Sequence, residues 1–263
     1  MLAVTTRNRL RSVRFCVPML LGRRRIAQQL ASQPGLVRYA SGVSTPTEFF
    51  TLSVWDDRES MQRFMQTGAH EQLMWQFTRW TSSFWGMRWE PGAGSDELGA
   101  WDGLRLARLQ PNPLPRSPLI AAGLLAPNAP RAGPLGPRPE VSAIEPRASG
   151  MFALTARFDG SLAAARALRR RPGASVRQGH DMTGTFAEDP LVRWGIGLDW
   201  SPQALGIGLW RDEPGVRAQA LNGVTALGAS WAMCWQPADY EIGHWDGLRL
   251  RQAARRRARE ATR

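Results

Sequence analysis

The hexapeptide Trp-Asp-Gly-Leu-Arg-Leu stands at residues 101–106 and again at 245–250, and the two copies are not alone. Upstream of each lies a Trp-x-Met-x-Trp-x-Pro pattern, Trp85 to Pro91 and Trp231 to Pro237. Further back, Leu36-Val37-Arg38-Tyr39 with Gly42 answers to Leu191-Val192-Arg193-Trp194 with Gly197, and Trp55 with Asp57 answers to Trp210 with Asp212. Met1 to Arg7 reads like Met151 to Arg157. Landmarks repeated once, in one order, predict a pseudo-dimer of two equivalent units; a solenoid needs three or more. The boundaries that follow are a first unit at 1–109, a linker at 110–149, a degenerate second unit at 150–250 and a basic tail at 251–263.

Each unit is long enough for one small domain, and the periodicity within the first reads as mixed α/β. Residues 2–7 suit a strand, 17–32 carry apolar residues at helical spacing, Pro34-Gly35 is a turn, and 36–41 and 49–55 suit strands. A long helix is expected over 57–80, capped by Asp56 or Asp57 and broken at Gly68, followed by strands at 83–90 and 101–107. The order is βαββαβ with one extra strand, the ferredoxin-like pattern. The fold class expected is α+β, two ferredoxin-like βαββαβ repeats forming an intramolecular dimeric α/β barrel. One such sheet leaves an apolar face uncovered, and the second copy supplies the cover.

The 110–149 segment holds ten prolines, which exclude helix and central strand and predict an extended connection. The formal charge of +12 comes with no lysine at all, which points to coding bias. Much of it sits at Arg23-Arg24-Arg25 and in the tail, where a solvated helix face or frayed end is expected, not a nucleic-acid arm. Two cysteines, Cys16 and Cys234, fall at unrelated places in the two units and supply no disulfide framework or CxxC site. No metal site is expected. Arg7 to Leu21 imitates a signal peptide, but residues 1–7 recur inside the chain, where they can only be a strand. No apolar run approaches a membrane span, and the cytoplasm is the expected location.

The segment Phe49 to Phe64, with Gly68-Ala69-His70 after it, resembles the strand-to-helix segment of the dimeric α/β-barrel superfamily, which includes antibiotic-biosynthesis monooxygenases. Leu21 to Gly42, with Gln33-Pro34-Gly35-Leu36 before Arg38-Tyr39, is similar to spheroidene monooxygenase. The resemblance implies a cavity between sheet and helices, used in that superfamily by cofactor-independent oxygenases, by haem enzymes and by proteins without catalysis. Some haem-degrading members use an Asn, a Trp and a His. Here Asn8 and His70 stand at matching places, but Phe64 takes the position of the Trp.

Candidate site residues follow from position. His70, on the long helix, would take a proton from a phenol or quinol, or ligate haem iron. Arg88 alternates with Trp85, Met87 and Trp89, so it would face the helix side and steady developing negative charge or a propionate; an ion pair with a helix carboxylate such as Glu71 is its structural alternative. Trp55, Phe64, Arg38 and Trp85 complete the expected pocket, although Arg38 recurs as Arg193 and so also reads as a structural ion-pair residue. The Trp-Asp-Gly motif reads as architecture, a bulge or strand entry, with Arg105 or Arg249 neutralising a carboxylate nearby. The second unit is nine residues shorter where His70 would fall, and Cys234 replaces Arg88, so the first unit is expected to hold the working cavity. The function expected is a monooxygenase-like oxidoreductase acting on an apolar aromatic or polyene metabolite, with no cofactor or with haem. The alternative is a non-catalytic ligand- or haem-binding barrel. The expected partner is a small apolar or aromatic molecule, with no nucleic acid, while further self-association is left open.

Overall fold

The computed structural model describes residues 1–92, 96–108, 149–160, 190–198 and 202–261. The proline-rich connection therefore lies almost wholly outside the described residues, as do His180 and the stretch between the first two strands of the second half. In the first half, β1 (Leu2–Leu10), α1 (Cys16–Ala31), β2 (Leu36–Thr45), β3 (Glu48–Trp55), α2 (Arg58–Met65), α3 (Gly68–Trp80) and β4 (Thr81–Pro91) follow in the ferredoxin-like βαββαβ order. A short strand, β5 (Glu97–Gly99), comes next. The second half contributes β6 (Met151–Asp159), β7 (Leu191–Leu198), β8 (Gln203–Arg211), α4 (Val216–Ala226), β9 (Trp231–Gly243) and α5 (Leu250–Ala261).

The helix expected at 57–80 is two helices. Asp57 caps the first, its carboxylate accepting from Ser60 N at 2.7 Å. Gly68 divides them at φ +62°, a left-handed conformation that side chains with a Cβ resist. Gln29 of α1 bridges the break, donating to Thr67 O at 3.0 Å and accepting from His70 N at 3.0 Å.

All strand pairs are antiparallel, in the order β4-β1-β3-β2-β7-β8-β6-β9-β5, and β9 also pairs with β4. The order of the first eight strands thus returns to its start. The two seams differ. At β2–β7 the strands meet at Val43 and Leu198, beside Gly42 and Gly197, where a Cβ on either glycine would strike the other's backbone; the glycines shared by the two halves permit this approach. At β4–β9 the contact runs from Trp85↔Gly243 to Pro91↔Trp235.

The face enclosed by this ring holds Trp85, Met87 and Trp89 of β4 against Trp231, Met233 and Trp235 of β9, all essentially inaccessible. The four indoles of these two strands each find an acceptor: Trp89 donates to Thr5 Oγ1 at 2.8 Å and Trp235 to Thr155 Oγ1 at 2.7 Å. Trp85 therefore serves the core. Its Nε1 donates to Glu241 Oε1 at 3.0 Å, while Trp231 donates to Glu97 Oε1 at 2.8 Å. These two buried carboxylates cross between the halves, and each also receives two backbone N–H groups at the start of a helical turn, Leu106 and Ala107 for Glu97, Leu250 and Arg251 for Glu241.

The stretch 101–107, expected as a strand, is instead a tight turn followed by a 3-10 turn at Leu106–Arg108. Asp102 and Gly103 take φ of 48° and 81°, Asp246 and Gly247 take 47° and 84°, and Trp101 closes on Leu104 as Trp245 does on Leu248. Two consecutive left-handed residues cannot continue a strand. Among the described residues, neither Arg105 nor Arg249 is ion-paired with these two carboxylates. Arg157 meets Asp102 at 3.2 Å and Arg7 meets Asp246 at 2.9 Å, both across the halves. Arg105 instead donates to the Glu97 carbonyl at 2.7 Å.

Candidate active site

Between the outer face of the first half's sheet and its helices lies a cavity of about 170 Å³, lined by β1, β2, β3, all three helices and the ends of β4 and β9. Its shape follows from two periodicities. Val4, Thr6 and Asn8 alternate along β1 with residues committed to the inner core, and Met19, Arg23 and Ile26 recur along α1 at one helical face. His70, Leu73, Met74 and Phe77 do the same along α3.

Three of the expected site residues meet here. The rings of Trp55 and Phe64 lie 5.2 Å apart and those of Phe64 and His70 4.6 Å apart, and all three line the cavity. Trp55 donates its indole N–H to Ser53 Oγ at 2.9 Å, which fixes the plane of the ring. His70 Nδ1 stands 3.2 Å from Met65 O; a carbonyl only accepts, so Nδ1 carries the proton and Nε2 keeps the lone pair. Burial pushes the imidazole down from its usual 6.5 to about 4, against the smaller opposing effect of the Met65 hydrogen bond. The residue is part-buried and lines the cavity. At neutral pH His70 carries no charge.

Asn8 is the second notable polar group. It is 3% exposed, its Nδ2 donates to Thr6 Oγ1 at 3.2 Å, and its Oδ1 has no hydrogen-bond partner. A buried acceptor without a donor costs on the order of 1–3 kcal/mol, and Asn8 is among the residues that line the cavity. Arg23, expected on a solvated face, also lines the cavity and donates to Ser41 Oγ at 2.5 Å. A three-arginine run carries no mark of which member turns inward; only the helix phase against Met19 and Ile26 does.

The remaining expected residues lie elsewhere. Arg88 pairs with Val4 across β1–β4, so it shares the cavity's face of the sheet as its alternation suggested. It does not line the cavity and is bound not to Glu71 but to Asp239 of β9, Nη1 to Oδ1 at 2.9 Å. Its guanidinium lies 5.1 Å from the centre of the Tyr240 ring. Burial, then the nearby Arg58, lowers it from 12.5 to about 10. Arg38 donates to Trp101 O at 3.1 Å and stands 3.7 Å from Asp102, as Arg193 donates to Trp245 O and Asp246 O. These two arginines hold the Trp-Asp-Gly turns, and Arg38, like Trp85, is outside the cavity lining.

The corresponding face of the second half is packed. Thr6–Thr51, Val4–Ser53 and Asn8–Phe49 pair across β1–β3, and in the same register Ala156–Gly206, Leu154–Gly208 and Phe158–Ala204 pair across β6–β8. Polar positions on one side are apolar or vacant of side chain on the other. The space above Gly206 and Gly208 is taken by Trp194, Trp210 and Phe158, whose rings a Cβ on either glycine would strike. Among the described residues, no group of His, Cys, Asp and Glu side chains could hold a metal ion, and no helix is long and apolar enough to cross a membrane.

Residues 23–74 match the family model of the antibiotic biosynthesis monooxygenases, a stretch that includes the strand-to-helix segment from Phe49 to His70. Among solved structures, the chain is similar to an antibiotic biosynthesis monooxygenase (16% identity over 35% of this chain and 99% of the other, TM-score 0.33). Two others are a mutant form of SnoaB, a cofactor-independent oxygenase from Streptomyces nogalater (15%, 33% and 86%, 0.28), and Rv0793 from Mycobacterium tuberculosis (14%, 35% and 94%, 0.31). No curated protein matches the chain.

Proposed function

We propose that the chain is a monooxygenase-like oxidoreductase whose cavity in the first half takes a flat, largely apolar aromatic molecule bearing a hydroxyl group. The observation that carries this reading is the pairing, in one apolar enclosure, of a neutral His70 with its Nδ1 tied to Met65 and a buried Asn8 Oδ1 that lacks a donor. A quinol answers both needs, and a phenol either one. In a quinol one hydroxyl donates to Asn8 and the other passes its proton to His70 Nε2, leaving a phenolate beside Arg23, the lining's permanent cation. A phenolate is the electron-rich form of such a molecule, the form from which oxygenation without a bound cofactor starts. The family match over 23–74, which spans the second half of α1, β2, β3, α2 and the first part of α3, favours this class.

In the same reading, the two halves are copies of one ferredoxin-like unit closed into an intramolecular dimeric α/β barrel. Matched registers, crossed Glu97 and Glu241 and the returning strand order support it. The second copy keeps the tryptophan scaffold and has filled its own cavity. His70 Nε2 has the lone pair that an iron ligand needs, but a cavity near the size of one that takes a single benzene ring does not suit a tetrapyrrole. The test is titration with phenol and catechol, followed by oxygen uptake on the ligand that binds. Binding that is lost in His70→Ala and Asn8→Leu, with folding retained, supports the reading. An unmodified protein that binds neither compound overturns it.

A further inference from the structure

The first half's cavity is not built by the first half alone. Tyr240 and Ile242, on the end of β9, are part of its wall, carried there by the pairing of Gly86 with Ile242 and Met87 with Glu241. Just before them, between Met87 and Trp89, the register shifts. Three observations show that Tyr240 is held and not merely adjacent. Arg88, 9% exposed, lies over its ring at 5.1 Å. Asp239, the neighbouring residue, fixes Arg88 at 2.9 Å. The other oxygen of Asp239 is bound by Arg58, at the first turn of α2, the helix that also supplies Met61 and Phe64 to the cavity. The guanidinium is thereby immobilised above a cavity-wall ring that comes from the opposite half. Arg88 itself makes no cavity contact, and its Nε has no hydrogen-bond partner, so its cost of burial is compensated only through Asp239 and the ring face.

We propose that Tyr240 determines which ligands the cavity accepts, and that Arg88 and Asp239 are positioning residues that act through it. This rests on the reading that the cavity binds hydroxylated aromatics and names the residue that limits their size. A cavity of about 170 Å³ suits one ring, and Tyr240 is the larger of the two side chains that the second half brings to its wall. The alternating strand places Tyr240 and Ile242 toward the cavity while Glu241 turns to the inner core, so the second half serves the site through every other residue of one strand end.

The test compares the dissociation constants of phenol and 1-naphthol, by calorimetry or tryptophan quenching, in the unmodified protein and in Tyr240→Ala, Tyr240→Phe, Arg88→Met and Arg88→Lys, with thermal unfolding measured alongside. The expected result is preference for phenol in the unmodified protein and in Tyr240→Phe, and a shift of at least tenfold toward 1-naphthol in Tyr240→Ala. Arg88→Met should shift the ratio in the same direction by a smaller factor, Arg88→Lys should restore most of it, and Arg88→Met added to Tyr240→Ala should change the ratio no further. A ratio unmoved by Tyr240→Ala overturns the size-limiting role. A ratio moved by Arg88→Met equally with and without Tyr240 overturns the positioning role. Failure of both probes to bind the unmodified protein refutes instead the cavity reading on which this stands. Should Arg88→Met not fold, Asp239→Asn takes its place, with the same expected direction.

Discussion

Acid should weaken this protein through His70, and the effect can be worked out from the structure. The imidazole is held neutral, its pKa down from 6.5 to about 4, so as pH falls the unfolded chain takes up the proton before the folded chain does. The His70 contribution is fully present above about pH 6.5, is lost progressively below it, and levels off under about pH 4. At pH 4.5 the difference between the two states is about 2.5 kcal/mol, each pKa unit being worth about 1.4. The perturbation is His70→Gln, which does not titrate and whose amide can still donate to Met65 O. Urea unfolding of both proteins at pH 7.5 and pH 4.5 isolates the term, because every other titrating group is common to the pair. Between the two pH values the unmodified protein should lose about 2.5 kcal/mol more than the variant. Parallel losses would refute the argument, showing that the ring is solvated and available for protonation in the folded state.

Other outcomes follow from the same contacts. Trp235→Ala, removing a fully buried ring and its bond to Thr155, should destabilise by roughly 3–5 kcal/mol, measured by urea unfolding. Glu241→Ala leaves the Trp85 indole and the Leu250 and Arg251 backbone N–H groups without their acceptor; a loss on the order of 3 kcal/mol or more is expected, whereas Glu260→Ala in the exposed tail should change the same measurement by less than about 0.5. Asn8→Leu removes an orphaned acceptor and should be neutral or stabilising by up to about 1 kcal/mol while weakening phenol binding; a variant that loses stability and keeps its affinity would show that Asn8 serves the fold.

The ferredoxin-like order of the first half was legible because its signals are local. Strand alternation, helical spacing along 16–31, the Asp57 cap and the Gly68 break each act within a few residues, and the ordered landmarks announced a second unit. Local signals also placed Trp55, Phe64 and His70 on consecutive elements of one face, where they do meet. The expectation for 101–107 failed for a local reason too, since Asp-Gly at two left-handed positions makes a turn and not a bulge. Arg88 illustrates a different limit. Its alternation gives its face correctly, but its partner, Asp239, lies 151 residues away in sequence and is chosen by the β4–β9 register, which no local pattern encodes.

The sequence by itself determined most elements of the first half and the repeated landmarks Trp-x-Met-x-Trp and Trp-Asp-Gly, because propensity, capping and local repetition are properties of neighbouring residues. Tertiary structure alone decided which faces became core and which became cavity. Thr6, Thr51 and Ser53 leave space on one side, and Ala156, Gly206 and Gly208 allow Trp194 and Trp210 to close it on the other. It also decided that Arg23 turns inward, that Glu97 and Glu241 cross between halves, and that Tyr240 walls a cavity built by the opposite half. Those outcomes depend on strand register and on long-range closure, where moving one residue along a strand exchanges the two faces of the sheet.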